Sequence, residues 1–462
     1  MRQAFFFLMT AACMVVFSRC NMDEQQTNWV ERQVTDGPHG HFINPVQAFS
    51  YNDRWIVYDT RNDGGGIGRT PSIERVDLKT GAEEVLFKTE GQTEYGPGVG
   101  AAACAPDKDQ VIFIKGLQNC DAEKPYNFDR RTGAGVRGDK SVIYYDARDV
   151  TPPFTPGALR GGTHAHSWSA DGEWITFTYN DAVMSQLAEE SDTVEDLRMV
   201  GVMAPWGRVE VPAGEEGENI DGAMFSMVIS RVTERPEPGS DEISKAYEDG
   251  WIGQEGYLDA DGNRIRRSVA FLGDVRTKEG ETVTEVFVAD LPEEKPDLSG
   301  EDQIRGGTDS RPLPLSQVRQ RRVTYTADRK YPGVQGPRQW MKSTPDGSEL
   351  LFMMKDDEGI VQICKVSVNG GEPEQITRND FSAETSFDLD SSGEWLAYGA
   401  AGKLYRTNLH SGKTECLLDS VDPAYSSLHS VQWSRRGMTI AYNRRVAVGD
   451  TNYYQIFTLS PE

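Results

Sequence analysis

Short apolar stretches recur along the chain, each entered through a polar turn. The clearest copy runs Trp168-Ser-Ala-Asp-Gly-Glu-Trp-Ile-Thr-Phe-Thr-Tyr179: an aromatic residue, a small side chain, a turn rich in Asp and Gly, then a strand-like run. Similar units occupy residues 49–58, 104–114, 343–352, 389–398 and 433–442. Partly alternating runs bounded by turn residues signal strands, and their repetition signals an architecture of like units. Several copies are followed by a second hairpin built on a Gly turn, at residues 73–81, 364–371 and 404–412. Two hairpins per unit make a four-stranded antiparallel sheet, and such sheets arranged radially form a β-propeller. The expected fold is therefore all-β, a WD40-like propeller. Six copies are explicit, and the long gap between Trp168 and Ser343 holds a degenerate blade supplied by residues 223–232 and 269–291. Seven blades are predicted, with six or eight still compatible.

The same gap holds an expected insertion at about 233–266. Within it, Ser240 can cap a helix whose first turn carries Asp241 and Glu242 and which Gly250 would stop, so a short helix is predicted over 238–250, as a lid or as a decoration. Residues 293–311, rich in Pro, Gly and acids, are expected as an exposed loop. Asn62-Asp-Gly-Gly-Gly-Ile-Gly68 lacks the following helix that a phosphate cradle needs and is taken as a turn, as are Asp259-Ala-Asp-Gly-Asn263 and Asp356-Asp-Glu-Gly359.

The first residues change the picture of location. Arg2 precedes an apolar run over residues 4–17, suited to a signal segment and too short to span a bilayer. It ends in Phe17-Ser-Arg-Cys20 before the polar Asn21-Met-Asp-Glu-Gln25, which resembles a lipobox with Cys20 as the lipidated residue; Cys13 is the rival site. The expected organisation is a lipoprotein signal peptide over 1–19, a tether over 20–30 and a single propeller over 31–462. The expected location is the cell envelope, as an outer-membrane lipoprotein facing periplasm or cell surface, with the membrane as partner through the lipid.

Composition fits that scheme. The chain has 462 residues, 37% of them hydrophobic and 26% charged, and a ring of small units reconciles that length with one folded body. A formal net charge of −24 excludes nucleic acid as the partner, since phosphate binding needs clustered Lys and Arg. Beyond the signal, Cys104, Cys120, Cys364 and Cys416 remain, with no CxxC spacing; they are expected as buried filler, or as one optional disulfide between Cys104 and Cys120.

The candidate chemistry lies in the histidines, of which there are six. His164 and His166 precede a repeat turn, and residues two apart on a regular strand share a face, so both could hold one ion. Four residues back from the first position of each unit stand Pro45, Gly100, His164, Gln339, Thr385 and His429. Equivalent positions in a propeller ring the axis, so His164, His429 and Gln339 are expected to converge, joined by His41 from the run-in to the first unit. Imidazoles with an amide oxygen suit manganese, zinc or iron. Arg160 and Arg338 are candidates to grip an anionic substrate. His39 and His410, flanked by Gly, are expected as surface residues.

The segments Thr155-Pro-Gly-Ala-Leu-Arg-Gly-Gly-Thr-His-Ala-His166, Phe177-Thr-Tyr-Asn-Asp181, residues 238–251, and Asp357-Glu-Gly-Ile-Val-Gln362 with Gly370-Gly-Glu-Pro373 resemble the YidR family, bacterial proteins with TolB-like propeller repeats. That resemblance implies the fold and no activity. Thr163-His-Ala-His-Ser-Trp-Ser169 is also similar to a blade segment of oligogalacturonate lyases, in which a His-x-His pair helps bind manganese. It implies His164 and His166 as metal ligands. The lyases carry a glutamine three residues before the first histidine; Gly161 stands there, and Gln339 is the candidate replacement. Two functions follow as expectations: a propeller that binds an oligosaccharide or an envelope protein at its central funnel or across one face, or a metal-dependent lyase of acidic oligosaccharides with His41 or His429 as base.

Overall fold

The Ser/Thr-x-Asp-Gly turns explain why the repeat is so visible. In the clearest copy Ser169 Oγ donates to Asp171 at 2.5 Å, accepts from Trp174 N at 3.0 Å, and the Ser169 carbonyl accepts from Gly172 N at 2.9 Å. The chain turns through a left-handed Gly172, φ 70°, which only glycine adopts freely. Thr344, Asp346 and Gly347, φ 74°, repeat the device in another unit. Each such turn joins the innermost strand of a blade to the second.

The computed structural model describes residues 28–419 and 428–462; the signal segment, Cys13 and Cys20 lie outside the described residues. Seven antiparallel sheets form the propeller, six of them four-stranded and one three-stranded. Blade 1 contains Trp55–Asp59, Ser72–Asp77 and Glu83–Lys88, with an irregular inner segment bridged through Phe42 to Asp59 and Phe49 to Ile56. Blade 2 runs from Val99–Cys104 to Val142–Tyr144, blade 3 from Gly161–Trp168 to Phe225–Val228, and blade 4 from Ile243–Trp251 to Arg319–Arg322. Blades 5 and 6 begin at Lys342–Ser343 and Asp388–Leu389. Blade 7 begins at His429–Trp433 and takes its outermost strand from the other end of the chain. There Trp29–Gln33 pairs antiparallel with the last strand, Thr451–Pro461, and closes the ring.

The gap between Trp168 and Ser343 resolves into ordinary blade strands. Residues 238–250 are not a helix: Ile243–Trp251 is the innermost strand of blade 4, and Trp251 stands where Trp168 stands in blade 3. The capping signs misled because Ser240 and the acids form a turn, with Ser240 Oγ donating to the Glu237 carbonyl at 2.7 Å. Phe225–Val228 belongs to blade 3 and not to the degenerate blade. Between 233 and 266 only a small hairpin, Tyr257–Leu258 with Arg264–Ile265, departs from the four-strand plan. The single α-helix among the described residues, Ala182–Glu190, is capped by Asp181, which accepts from the amides of Val183 and Met184. Residues 293–311 are a loop with one short 3-10 turn, Asp302–Arg305. The turns at Asp259 and Asp356 are hairpin turns whose acids accept from downstream amides. Cys104 and Cys120 are both free thiols.

Apolar side chains fill the spaces between neighbouring blades. The largest cluster joins blades 2, 3 and 4 through Ile112, Trp168, Phe177, Met203, Phe271 and Phe287. On the axis itself Val46, Ala165 and Trp340, from blades 1, 3 and 5, meet as a small buried cluster. Beside them the Gln47 side chain bonds both the amide and the carbonyl of Trp168 at 2.8 Å. These contacts plug the channel and divide it into two facing cavities, both of which touch Trp340.

Candidate functional site: an arginine-lined funnel

Every inner strand that carries a candidate histidine is bulged. Pairing with the second strand slips between His164 and Ser167, between His429 and Gln432, between Gly100 and Ala103, and between Tyr247 and Gly250. At each slip one residue is left-handed: Ala165 at φ 56°, Ser430 at 55°, Ala101 at 54° and Glu248 at 54°. Such a residue breaks the two-residue alternation of a strand, so His164 and His166 do not share a face. His164 lines the cavity on one side of the axial plug. His166 turns into the protein, fully buried, with Nε2 2.9 Å from Thr163 Oγ1.

The cavity has a volume of about 440 Å³. In an antiparallel blade the start of strand one, the end of strand two and the start of strand three lie at the same edge. From that edge Arg61 follows the second strand of blade 1, Arg131 opens the third strand of blade 2, and Arg198 precedes the third strand of blade 3. Arg338 precedes the first strand of blade 5. All four line the cavity together with His164 and His429. Each guanidinium stacks on an aromatic ring: Arg61 over Phe42 at 4.6 Å, Arg131 and Arg198 over Phe128 at 4.9 and 5.6 Å, and Arg338 over Trp340 at 4.6 Å.

Compensation by carboxylates is uneven. Arg61 is held by Asp59 through two bonds of 2.6 and 2.9 Å. Arg338 has Glu248 at 3.7 Å, beyond hydrogen-bond distance. Arg131 is 1% exposed and its Nε and Nη2 have no hydrogen-bond partner; Nη1 donates only to Tyr126 at 3.2 Å. Burial and then the neighbouring Arg131 and Arg338 push the Arg198 guanidinium below its usual range. Burial likewise lowers Arg338, against the opposing pull of Glu248. His164 is driven well below the usual imidazole range by burial and then by Arg131, Arg338 and Arg198, so it stands neutral. Burial also lowers His429, whose Nε2 lies 3.5 Å from Tyr454 Oη. The result is a pocket of positive charge with neutral imidazoles in its wall and, among the described residues that line it, one carboxylate, Glu384.

Four expected site residues are placed elsewhere. Arg160 is buried and spent on structure: it pairs with Asp181 at 2.8 Å and donates to the carbonyls of Gly307 and Ser310, pinning the 306–310 loop. Gln339 uses its Oε1 to accept from Met353 N at 2.8 Å, bridging the inner strand of blade 5 to the second. His166 faces Thr163, as above. His41 leaves the funnel altogether and lies buried against His39 and Glu83. Arg338, His164 and His429 do meet in the cavity. Arg61, Arg131 and Arg198 were missed because they occupy no fixed place in the repeat; their signal was only that all follow second strands or open third ones.

The chain is 37% identical over 392 residues to the "Uncharacterized protein YidR" of Escherichia coli (strain K12), covering 84% of this chain and 89% of that one. This chain belongs to the YidR family. Residues 98–218, across blades 2 and 3 and including His164, also match the family described as a protein of unknown function (DUF3748). Among solved structures, oligogalacturonate lyase in complex with manganese aligns with a TM-score of 0.51 at 12% identity, covering 95% of this chain and 94% of that one. TolB from Acinetobacter baumannii aligns with a TM-score of 0.35 at 13% identity, covering 90% and 83%. The likeness to the lyase shows a shared fold.

The donors expected from the lyase do not fit one ion in this family member. Ala165 parts the two histidines, Thr163 occupies His166 Nε2, and a backbone amide occupies the Gln339 oxygen. Among the described residues, one group of three or more His, Cys, Asp or Glu side chains brings its ligand atoms together, and it is His39, His41 and Glu83.

Proposed function

We propose that this chain binds a small anionic ligand, with a carboxylated sugar as the favoured class, in the arginine-lined funnel. One observation carries the reading: in a chain of net charge −24, four guanidiniums face one cavity, and the buried Arg131 keeps two nitrogens without a partner. A buried donor without an acceptor is costly, and a ligand carboxylate would supply what is missing. The aromatic rings beneath the guanidiniums offer flat apolar surface for a sugar ring. The fold shared with oligogalacturonate lyase supports uronates as the first compounds to try. Calorimetric titration with a galacturonate trimer and with a neutral glucose trimer tests this. The acidic sugar should bind, and Arg338→Gln should weaken it by about tenfold or more, the equivalent of about 1.4 kcal/mol. Equal binding of the neutral sugar, or none of either at millimolar concentration, overturns the reading.

A second reading has its own support, the neutral His164 among those guanidiniums. With the arginines neutralising a uronate carboxylate, an unprotonated imidazole could remove the proton beside it. The electron pair would form the ring double bond, and the glycosidic oxygen would leave with a proton from water. His429 is the alternative base. Export as a lipoprotein through Cys20 belongs to this proposal as the context in which such a ligand would be met.

A further inference from the structure

His39 and His41 lie on the segment that leaves the ring-closing strand Trp29–Gln33 and crosses to blade 1. Facing them, Glu74 stands on the third strand of that blade, Ser72–Asp77, and Glu83 on the outermost, Glu83–Lys88. The imidazole rings lie 4.1 Å apart, tilted by 34°. His41 Nε2 is 3.1 Å from Glu83 Oε1, and His39 Nε2 is 3.8 Å from Glu74 Oε2. The ligand atoms of His39, His41 and Glu83 fall within 4.8 Å of one another. Donors around a four-coordinate zinc ion, at metal distances of about 2.0–2.2 Å, stand about 3.3–3.6 Å apart, so the three side chains would close in by up to about 1.5 Å on binding one.

Three features separate the cluster from a plain histidine–glutamate hydrogen bond. His39 Nε2 is shielded from solvent and has no hydrogen-bond partner, although it is turned toward the carboxylates. Among the described residues neither Glu74 nor Glu83 has a Lys or Arg within ion-pair distance; Glu83 meets His41, and Glu74, beside His39, accepts from Tyr58 Oη at 3.0 Å and Ser72 Oγ at 2.8 Å. The backbone holding His41 is fixed: its amide donates to the Tyr454 carbonyl at 2.9 Å and its carbonyl accepts from Asn443 Nδ2 at 2.7 Å. Two imidazoles and two carboxylates without a counter-cation, on a rigid frame, match the donor chemistry of a divalent transition metal.

We propose that His39, His41 and Glu83 bind one zinc-class cation, with Glu74 at hand as a fourth donor, and that the ion clasps the ring-closing segment to blade 1. An ion bound only by the folded state raises its stability by mass action. The test uses the full chain without a histidine tag, stripped with chelator and titrated with zinc chloride by calorimetry, with thermal unfolding followed alongside. One equivalent should bind with micromolar or tighter affinity and raise the thermal midpoint. His39→Ala and Glu83→Gln, both partly exposed, should weaken binding by at least about tenfold and remove the thermal shift. His164→Ala, in the funnel, should leave both intact. Absence of a saturable site for zinc, or unchanged affinity in His39→Ala and Glu83→Gln, overturns the proposal and leaves the funnel reading untouched.

Discussion

Buried ionisable side chains set how this molecule responds to pH. Asp249, on the inner strand of blade 4, is 1% exposed and burial raises its carboxyl to about 7. A carboxyl raised in the folded state holds its proton there while the unfolded chain releases it, so folding loses stability as pH rises from about 4 through about 7. Asp249→Asn should therefore raise the thermal midpoint at pH 8 and leave it nearly unchanged near pH 4; a constant difference across that range would refute burial as the cause. Histidines act with the opposite sign. Burial lowers His41 to about 4 and His166 to about 3, so their contribution is present above about 6.5 and is lost as pH falls toward those values. At this scale the sequence showed which residue types mattered but not their partners. His164 and His429 were found because they sit at a fixed place in the repeat. Arg160 was misjudged because nothing in the spacing says that Asp181 and two loop carbonyls will consume its guanidinium.

At the scale of elements, the turns were legible and the bulges were not. A Ser/Thr-x-Asp-Gly turn needs particular residues for its hydrogen bonds and its left-handed glycine, so it leaves a signature. The bulges sit instead on Ala101, Ala165, Glu248 and Ser430, which carry no mark of a positive φ. That is why two histidines two residues apart were expected on one face and stand on different ones. Holding a non-glycine residue left-handed costs about 1 kcal/mol, so Ser430→Gly should stabilise by up to about that amount and Ser430→Val should destabilise by more. Denaturant unfolding of the two variants checks the ordering, and a destabilised glycine variant would mean that the Ser430 side chain contributes more than the strain. The degenerate blade follows the same lesson. Its inner strand was mistaken for a helix because local capping signs were strong and the deciding partner, the strand Ser268–Arg276, lies downstream across an intervening hairpin.

On the scale of the whole molecule, the ring is held by pairings between residues far apart in sequence. Trp29–Gln33 meets the last strand in five registered pairs, and Glu462 N donates to the Asn28 carbonyl at 2.9 Å. Removing residues up to Gln33 should cost several kcal/mol, at about 1 kcal/mol per backbone hydrogen bond lost, and lower the thermal midpoint accordingly; an unchanged midpoint would show that the ring does not depend on this closure. The axial plug and the distribution of charge were invisible to the repeat pattern, since each blade contributes only one or two residues to them. That distribution has a kinetic side. A polyanion approaching a body of charge −24 is repelled at long range and attracted only once inside the funnel. Salt at about 0.1 M shortens the reach of the repulsion to about 10 Å while leaving desolvated contacts in the cavity less affected. Moderate ionic strength should thus speed the entry of long acidic chains more than it hastens their departure, and short or end-on ligands, which present less charge to the rim, have the least barrier to cross.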